Sequence, residues 1–364
     1  MMSVLTETFG NPQSAEHHYG ADAADLVAEA RAEVAALLAC SARAVRFTEG
    51  STTALSLAIE HAVARCEASG RRCRIALPPV EHRAVLAPVD AACRAGRADV
   101  RWLETDAMAR IDLQHVESTL REGIDLLCLM AANNEVGNVY PLGEVAALAR
   151  THGAALLVDA TQAVGRLVLD LRELDPAYLA LSAHKFYGPK GIGALVVGPS
   201  VAGRAQLLTP SAGTPNVAGI VGLGEAARLR REERDADELR ASELRDQLQA
   251  LLTDLVPGIV LNGDQENRHP GNLHFSLLDV PAEAVVARLS NEVACSTGAA
   301  CSGGTPGASH VLRAMNLSSA RQDGAIRIGV GKFNTREQIE HAAERIAHAV
   351  SQVRQATRST SPGL

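Results

Sequence analysis

Ala177-Tyr-Leu-Ala-Leu-Ser-Ala-His-Lys-Phe-Tyr-Gly-Pro-Lys-Gly191 decides how this chain reads. Ala177–Ser182 is an apolar run of strand length and reads as a buried strand. Lys185 stands at its end, framed by Ser182 and His184 and followed by Gly188-Pro189. Apolar burial disfavours an ammonium ion, so a lysine here is expected to have a lowered pKa and a free amine able to form a Schiff base. Upstream, Ala154-Ala-Leu-Leu-Val-Asp159 reads as a second strand ending in a carboxylate that suits a pyridinium nitrogen. A lysine for the aldehyde and an aspartate for the ring nitrogen form the pattern of a pyridoxal phosphate (PLP) enzyme.

Working outward, further strands are expected at Val45–Thr48, Arg74–Leu77, Val100–Leu103, Leu126–Ala131 and Ala194–Val197, with helices between several of them. That alternation predicts an α/β fold with a mainly parallel, seven-stranded, doubly wound sheet. Val45-Arg-Phe-Thr48 runs into Glu49-Gly-Ser-Thr-Thr53 and then a helix, which makes an anion site of backbone N–H groups and hydroxyls. Helical spacing also covers Ala21–Leu38. After Val197 the pattern changes to a charge-rich helical stretch over 217–253, a strand over Gly271–Leu277, a helix over Ala282–Leu289, a strand over Gly324–Gly329 and a closing helix over Thr335–Val353. The expected organisation is an N-terminal segment 1–20, a large cofactor-binding domain 21–216, a smaller α+β domain 217–357, and a disordered Ser/Thr/Pro-rich tail 358–364.

With 35 Lys and Arg against 42 Asp and Glu, the net charge of −7 argues against nucleic acid as a partner. No apolar run reaches the length of a membrane span and no signal peptide is read at the N-terminus, so a cytoplasmic location is expected. Cysteines 40, 66, 73, 93, 128, 295 and 301 include no Cys-x-x-Cys pair. That spacing fits reduced thiols better than a disulfide framework or a zinc site, and no metal is expected.

From Phe9-Gly-Asn-Pro12 to about Glu340 the chain resembles the cysteine desulfurases of the aminotransferase class V family, in the group serving iron–sulfur cluster and nitrogenase assembly. The landmarks stand in order: Glu81-His-Arg-Ala-Val85, Asn133-Asn-Glu-Val-Gly137, Asp159-Ala-Thr-Gln162, Ser182-Ala-His-Lys185, Ser296-Thr-Gly-Ala-Ala-Cys301 and Ile326-Arg-Ile-Gly329. The resemblance implies the PLP-dependent transferase fold type I and the conversion of L-cysteine to L-alanine, with a persulfide on Cys301 passed to an acceptor protein. It gives Lys185 the cofactor linkage and the movement of the Cα proton. Asp159 would pair with the ring nitrogen, Gln162 would bond the phenolic oxygen with Asn134 nearby, and His82 would stack on the ring and help move protons. Ser51, Thr52, Ser182 and His184 would hold the phosphate. Thr214 matches a threonine that reaches this phosphate from the other subunit, which implies a homodimer. Arg327 matches the clamp on the substrate carboxylate, a task suited to a bidentate guanidinium.

Two departures from the family pattern bear on the substrate pocket. Only Met1–Thr8 precede Phe9, where relatives usually carry a further strand, and the segment from Val197 to Gly213 is shorter than usual, with Ser211 at an arginine position. Two alternatives therefore stand beside the desulfurase: a PLP-dependent C–S lyase or aminotransferase-like enzyme with an altered substrate, and a catalytically degenerate paralogue acting as a scaffold.

Overall fold

A computed structural model describes residues 1–14, 16–202, 213–297 and 309–360. The chain divides into two compact units. The first contains a seven-stranded sheet built from β1 Val45–Thr48, β2 Cys73–Leu77, β3 Ala98–Trp102, β4 Leu126–Met130, β5 Ala155–Asp159, β6 Tyr178–Ser182 and β7 Gly193–Val197. The strand order is β1-β7-β6-β5-β4-β2-β3. The pairs from β6 through β3 are parallel, while β7 runs antiparallel to both β6 and β1. β2, β4, β5, β6 and β7 are nearly all apolar and buried, as expected of strands covered on both faces.

This topology positions the site. Because β2, β4, β5 and β6 are parallel neighbours, their C-terminal ends share one edge of the sheet, where ligands bind in open α/β folds. The segments after Leu77, Asp159 and Ser182 all emerge there.

The second unit centres on an antiparallel sheet of β8 Ile259–Leu261, β9 Asn272–Leu277, β10 Ser296–Thr297 and β11 Ala325–Gly329, ordered β10-β11-β9-β8. Alternation gives it two unlike faces. Leu273, Phe275, Leu277, Ile326 and Ile328 pack on Leu248, Leu252, Ile346 and Val350 of the long helices Val217–Leu255 and Arg336–Thr360. Asn272, His274, Ser276 and Arg327 lie on the other face, His274 directly opposite Arg327.

Three boundaries differ from the sequence expectation. The units part at Arg234 inside the helix Val217–Leu255, not at residue 217. The cause is packing: Gly224 lies against Ala30, and the buried Arg230 donates from Nε to Gly165 O at 2.6 Å, tying the helix's first half to the first unit. Segments 105–111 and 133–139 belong to the second unit although they lie between strands of the first. The closing helix continues to Thr360, past Val353 and into the expected tail. β8 and β10, three and two residues long, are too short to leave a periodic signal.

Candidate active site

Lys185 ends a short 3-10 turn, Ala183–Lys185, directly after β6. It is half-buried. Its carbonyl accepts from Arg166 Nε at 3.3 Å. Tyr187, two residues on, adopts the left-handed conformation with φ 71°, an uncommon state for a large side chain. Its ring lies beneath two guanidinium carbons, Arg166 at 4.8 Å and Arg230 at 5.3 Å. These contacts hold the turn that presents Lys185 and offset the backbone strain.

Asp159 closes β5, next to β6, and is 6% exposed. Burial raises its carboxyl above the usual aspartate range. The Thr161 hydroxyl and N–H (the latter at 3.0 Å), together with His82 and Lys185, pull it back towards ionisation. A cationic N–H donor would favour the carboxylate further.

His82 follows β2 and caps the helix Arg83–Arg94, its Nδ1 accepting from Ala84 N–H at 3.1 Å. Burial, Lys185 and Arg83 lower its pKa against the opposing pull of Asp159, so the ring is neutral near pH 7. With Nδ1 an acceptor, the single proton sits on Nε2. Lys185, Asp159 and His82 thus share one electrostatic neighbourhood. Gln162, half-buried, follows on the turn after Asp159.

Sequence reading did not give Glu81 a role. It is fully buried and accepts from Met130 N–H at 2.6 Å through Oε1. Burial first, and the charge of Asp159 second, raise its carboxyl well above the ordinary range, so it is a neutral acid. A neutral Glu81 spares Asp159 a second negative charge.

The anion cradle forms at the adjoining edge. The helix Ser51–Glu67 begins after Gly50 with no side-chain cap, leaving its first N–H groups for a ligand. Ser51 and Thr52 occupy its first turn, and Ser182 Oγ pairs with His184 Nδ1 at 2.9 Å. A Cβ built on Gly50 would meet Ser182 Oγ at 3.7 Å, which puts that pair beside the helix start. Burial, Lys185 and Lys190 lower the His184 pKa. Gly193 makes the approach possible, since a Cβ there would stand 2.4 Å from Leu181 O and 2.8 Å from Gly50 Cα. Gly193→Ala is therefore expected to destabilise the fold by about 1–3 kcal/mol and to weaken phosphate retention. Thermal unfolding together with cofactor titration checks this; a variant equal to the parent in both would remove the cradle argument.

Thr214 borders a cavity of about 360 Å³ with Gln13, Arg31, Glu49 and Asn216, a lining that includes neither Lys185 nor Ser182. In the second unit, Arg327 Nη1 donates to Asn134 O at 2.6 Å. Asn272 Nδ2 donates to Glu135 O at 3.1 Å, and the Asn133 side chain accepts from Glu135 and Val136 N–H. Gly137, at φ 81°, packs where a Cβ would strike Asn272 Oδ1 at 2.7 Å. The Asn133–Gly137 loop is thereby pinned to β9 and β11. Glu135 is buried and bonded by the Ser309 hydroxyl. Cys301 and Ser211 lie outside the described residues.

An amine, a buried carboxylate, an imidazole and an uncapped helix start gather at one sheet edge. The aminotransferase class-V family model matches residues 1–341. The "Cysteine desulfurase IscS" of Anaeromyxobacter dehalogenans is 36% identical over 98% of this chain and 89% of its own. A solved "NifS-like protein" superposes with a TM-score of 0.88 at 29% identity, covering 96% of this chain and 94% of that one. The structure titled "SspA in complex with cysteine" gives a TM-score of 0.74 at 28% identity, covering 92% and 94%. Sequence, topology and site together show that the chain belongs to the aminotransferase class-V family, among its cysteine desulfurases, with the type I fold of PLP-dependent enzymes.

Proposed function

We propose that this protein is a PLP-dependent cysteine desulfurase that converts L-cysteine to L-alanine and transfers the sulfur to Cys301. The observation that carries this is the convergence of Lys185, Asp159 and His82 beside the Ser182–His184 pair and the free helix start at Ser51. When bound, PLP supplies the electron sink for bond breaking at the substrate Cα. Lys185 would anchor it and move the Cα proton, and Asp159 would accept from the ring N–H. His82 would stack on the ring and relay protons through Nε2. Gln162 would bond the phenolic oxygen, while Ser51, Thr52, Ser182 and His184 would bind the phosphate.

Arg327 binds the substrate carboxylate. The Cys301 thiolate attacks the substrate sulfur, the Cβ–S bond breaks, and Cys301–SH plus cysteine becomes Cys301–S–SH plus alanine. A homodimer, in which Thr214 of each chain completes the partner's phosphate site, and a protein acceptor for the persulfide belong to the same proposal. Among the described residues no helix is long and apolar enough to cross a membrane.

The test is a cysteine assay on PLP-loaded protein with a reductant, comparing parent with Cys301→Ala. Equal alanine and sulfide from the parent, both lost in the variant, is the expected result. Pyruvate in place of alanine, or an unaffected variant, would favour the C–S lyase. Cofactor binding without turnover of any amino acid would favour the scaffold.

A further inference from the structure

Cys66, Cys73 and Asp125 meet at the sheet edge opposite the active site. Cys73 opens β2, and Asp125 immediately precedes β4. These strands are parallel neighbours with Ile75 paired to Leu126, which sets Asp125 beside Arg74, the residue that follows Cys73. Cys66, in the last turn of the helix Ser51–Glu67, returns over the same edge. The two Sγ atoms and a carboxylate oxygen of Asp125 all lie within 4.8 Å of one another. Both thiols are buried.

We propose that Cys66, Cys73 and Asp125 bind a thiophilic divalent cation of the zinc and cadmium type, remote from the active site and independent of the desulfurase reading. Two sulfurs and an oxygen suit a d¹⁰ ion, whose tetrahedral shell is completed by water. Asp125 is already oriented for such a task. Its Oδ2 accepts from Arg71 Nη1 at 2.5 Å and from Arg74 N–H at 2.9 Å, the kind of support that ligating carboxylates need.

Charge balances as well: two thiolates and a carboxylate around a divalent ion leave one negative charge, which the Arg71 guanidinium offsets. The Asp125 and Arg71 side chains are 18% and 51% exposed, so solvent reaches the site. Tyr178, Cys128 and Arg71 are the other ionisable groups that feel these thiols. Binding follows M²⁺ + 2 Cys–SH → M(S–Cys)₂ + 2 H⁺, so two protons leave per ion.

The experiment uses PLP-loaded Cys301→Ala protein, which removes that competing thiol, in a thiol-free reductant. Cadmium is titrated while thiolate-to-metal charge-transfer absorption and proton release are followed. One ion per chain, two protons released, and a loss of affinity of about 100-fold or more in Cys66→Ser and in Cys73→Ser are expected, with Cys93→Ser unchanged. X-ray absorption on the zinc-loaded Cys301→Ala protein needs no further variant and should show two sulfurs at about 2.3 Å with oxygen completing the shell. Absence of the charge-transfer band, its survival in both serine variants, or a zinc shell without sulfur would overturn the proposal.

Discussion

Lys185→Ala is expected to lower kcat/KM for cysteine by about 10⁴-fold or more and to abolish the visible absorbance of covalently held cofactor. Two roles vanish together. The amine anchors the cofactor aldehyde, and it moves the Cα proton, a general-base task worth about 10²–10⁴ on its own. The fold should survive, because the turn is held through backbone and neighbours: Arg166 reaches the Lys185 carbonyl, and Tyr187 lies beneath Arg166 and Arg230. Lys185→Arg should not rescue, since a guanidinium stays protonated. Added methylamine should partly restore turnover to the alanine variant but not to a denatured control. Activity of Lys185→Ala within ten-fold of the parent would remove Lys185 from the chemistry.

What the sequence revealed and what it hid follow one physical distinction. Lys185 and Asp159 were legible because each ends a short apolar run, and strand ends of a parallel sheet are where chemistry collects. Gly50 and Ser51 were legible because strand, small-residue turn and helix start are contiguous in the chain. Glu81 was not: its buried, neutral state arises from β4 and β5, through Met130 and Asp159, and nothing local announces it. Arg166 and Arg230 belong to no motif and gain meaning only by meeting at Tyr187. Cys66 and Cys73 stand seven positions apart, and Asp125 directly precedes β4, a strand beyond β3 in the chain but beside β2 in space. The unit boundary inside a continuous helix was hidden for a related reason: periodicity marks a helix, not what each half packs against.

Asp159→Asn is expected to reduce kcat by about 10²–10³ while leaving cysteine binding and the fold nearly intact. The amide keeps an oxygen for Thr161 N–H, so the turn after β5 should persist. What is lost is the negative charge that would hold a proton on the cofactor ring, and with it the preference of that ring for accepting electrons. Glu81→Gln supplies the control. Glu81 is held neutral by burial, so a neutral amide that still accepts from Met130 N–H changes no charge and should alter kcat by less than about ten-fold. The pair separates two explanations of the buried carboxyls. If Asp159 acts through its charge, only Asp159→Asn suffers; if both acids merely plug the sheet edge, the two variants should match in rate and in thermal stability. A Glu81→Gln rate loss as large as that of Asp159→Asn, with thermal stability unchanged, would mean instead that Glu81 itself carries a proton the reaction uses.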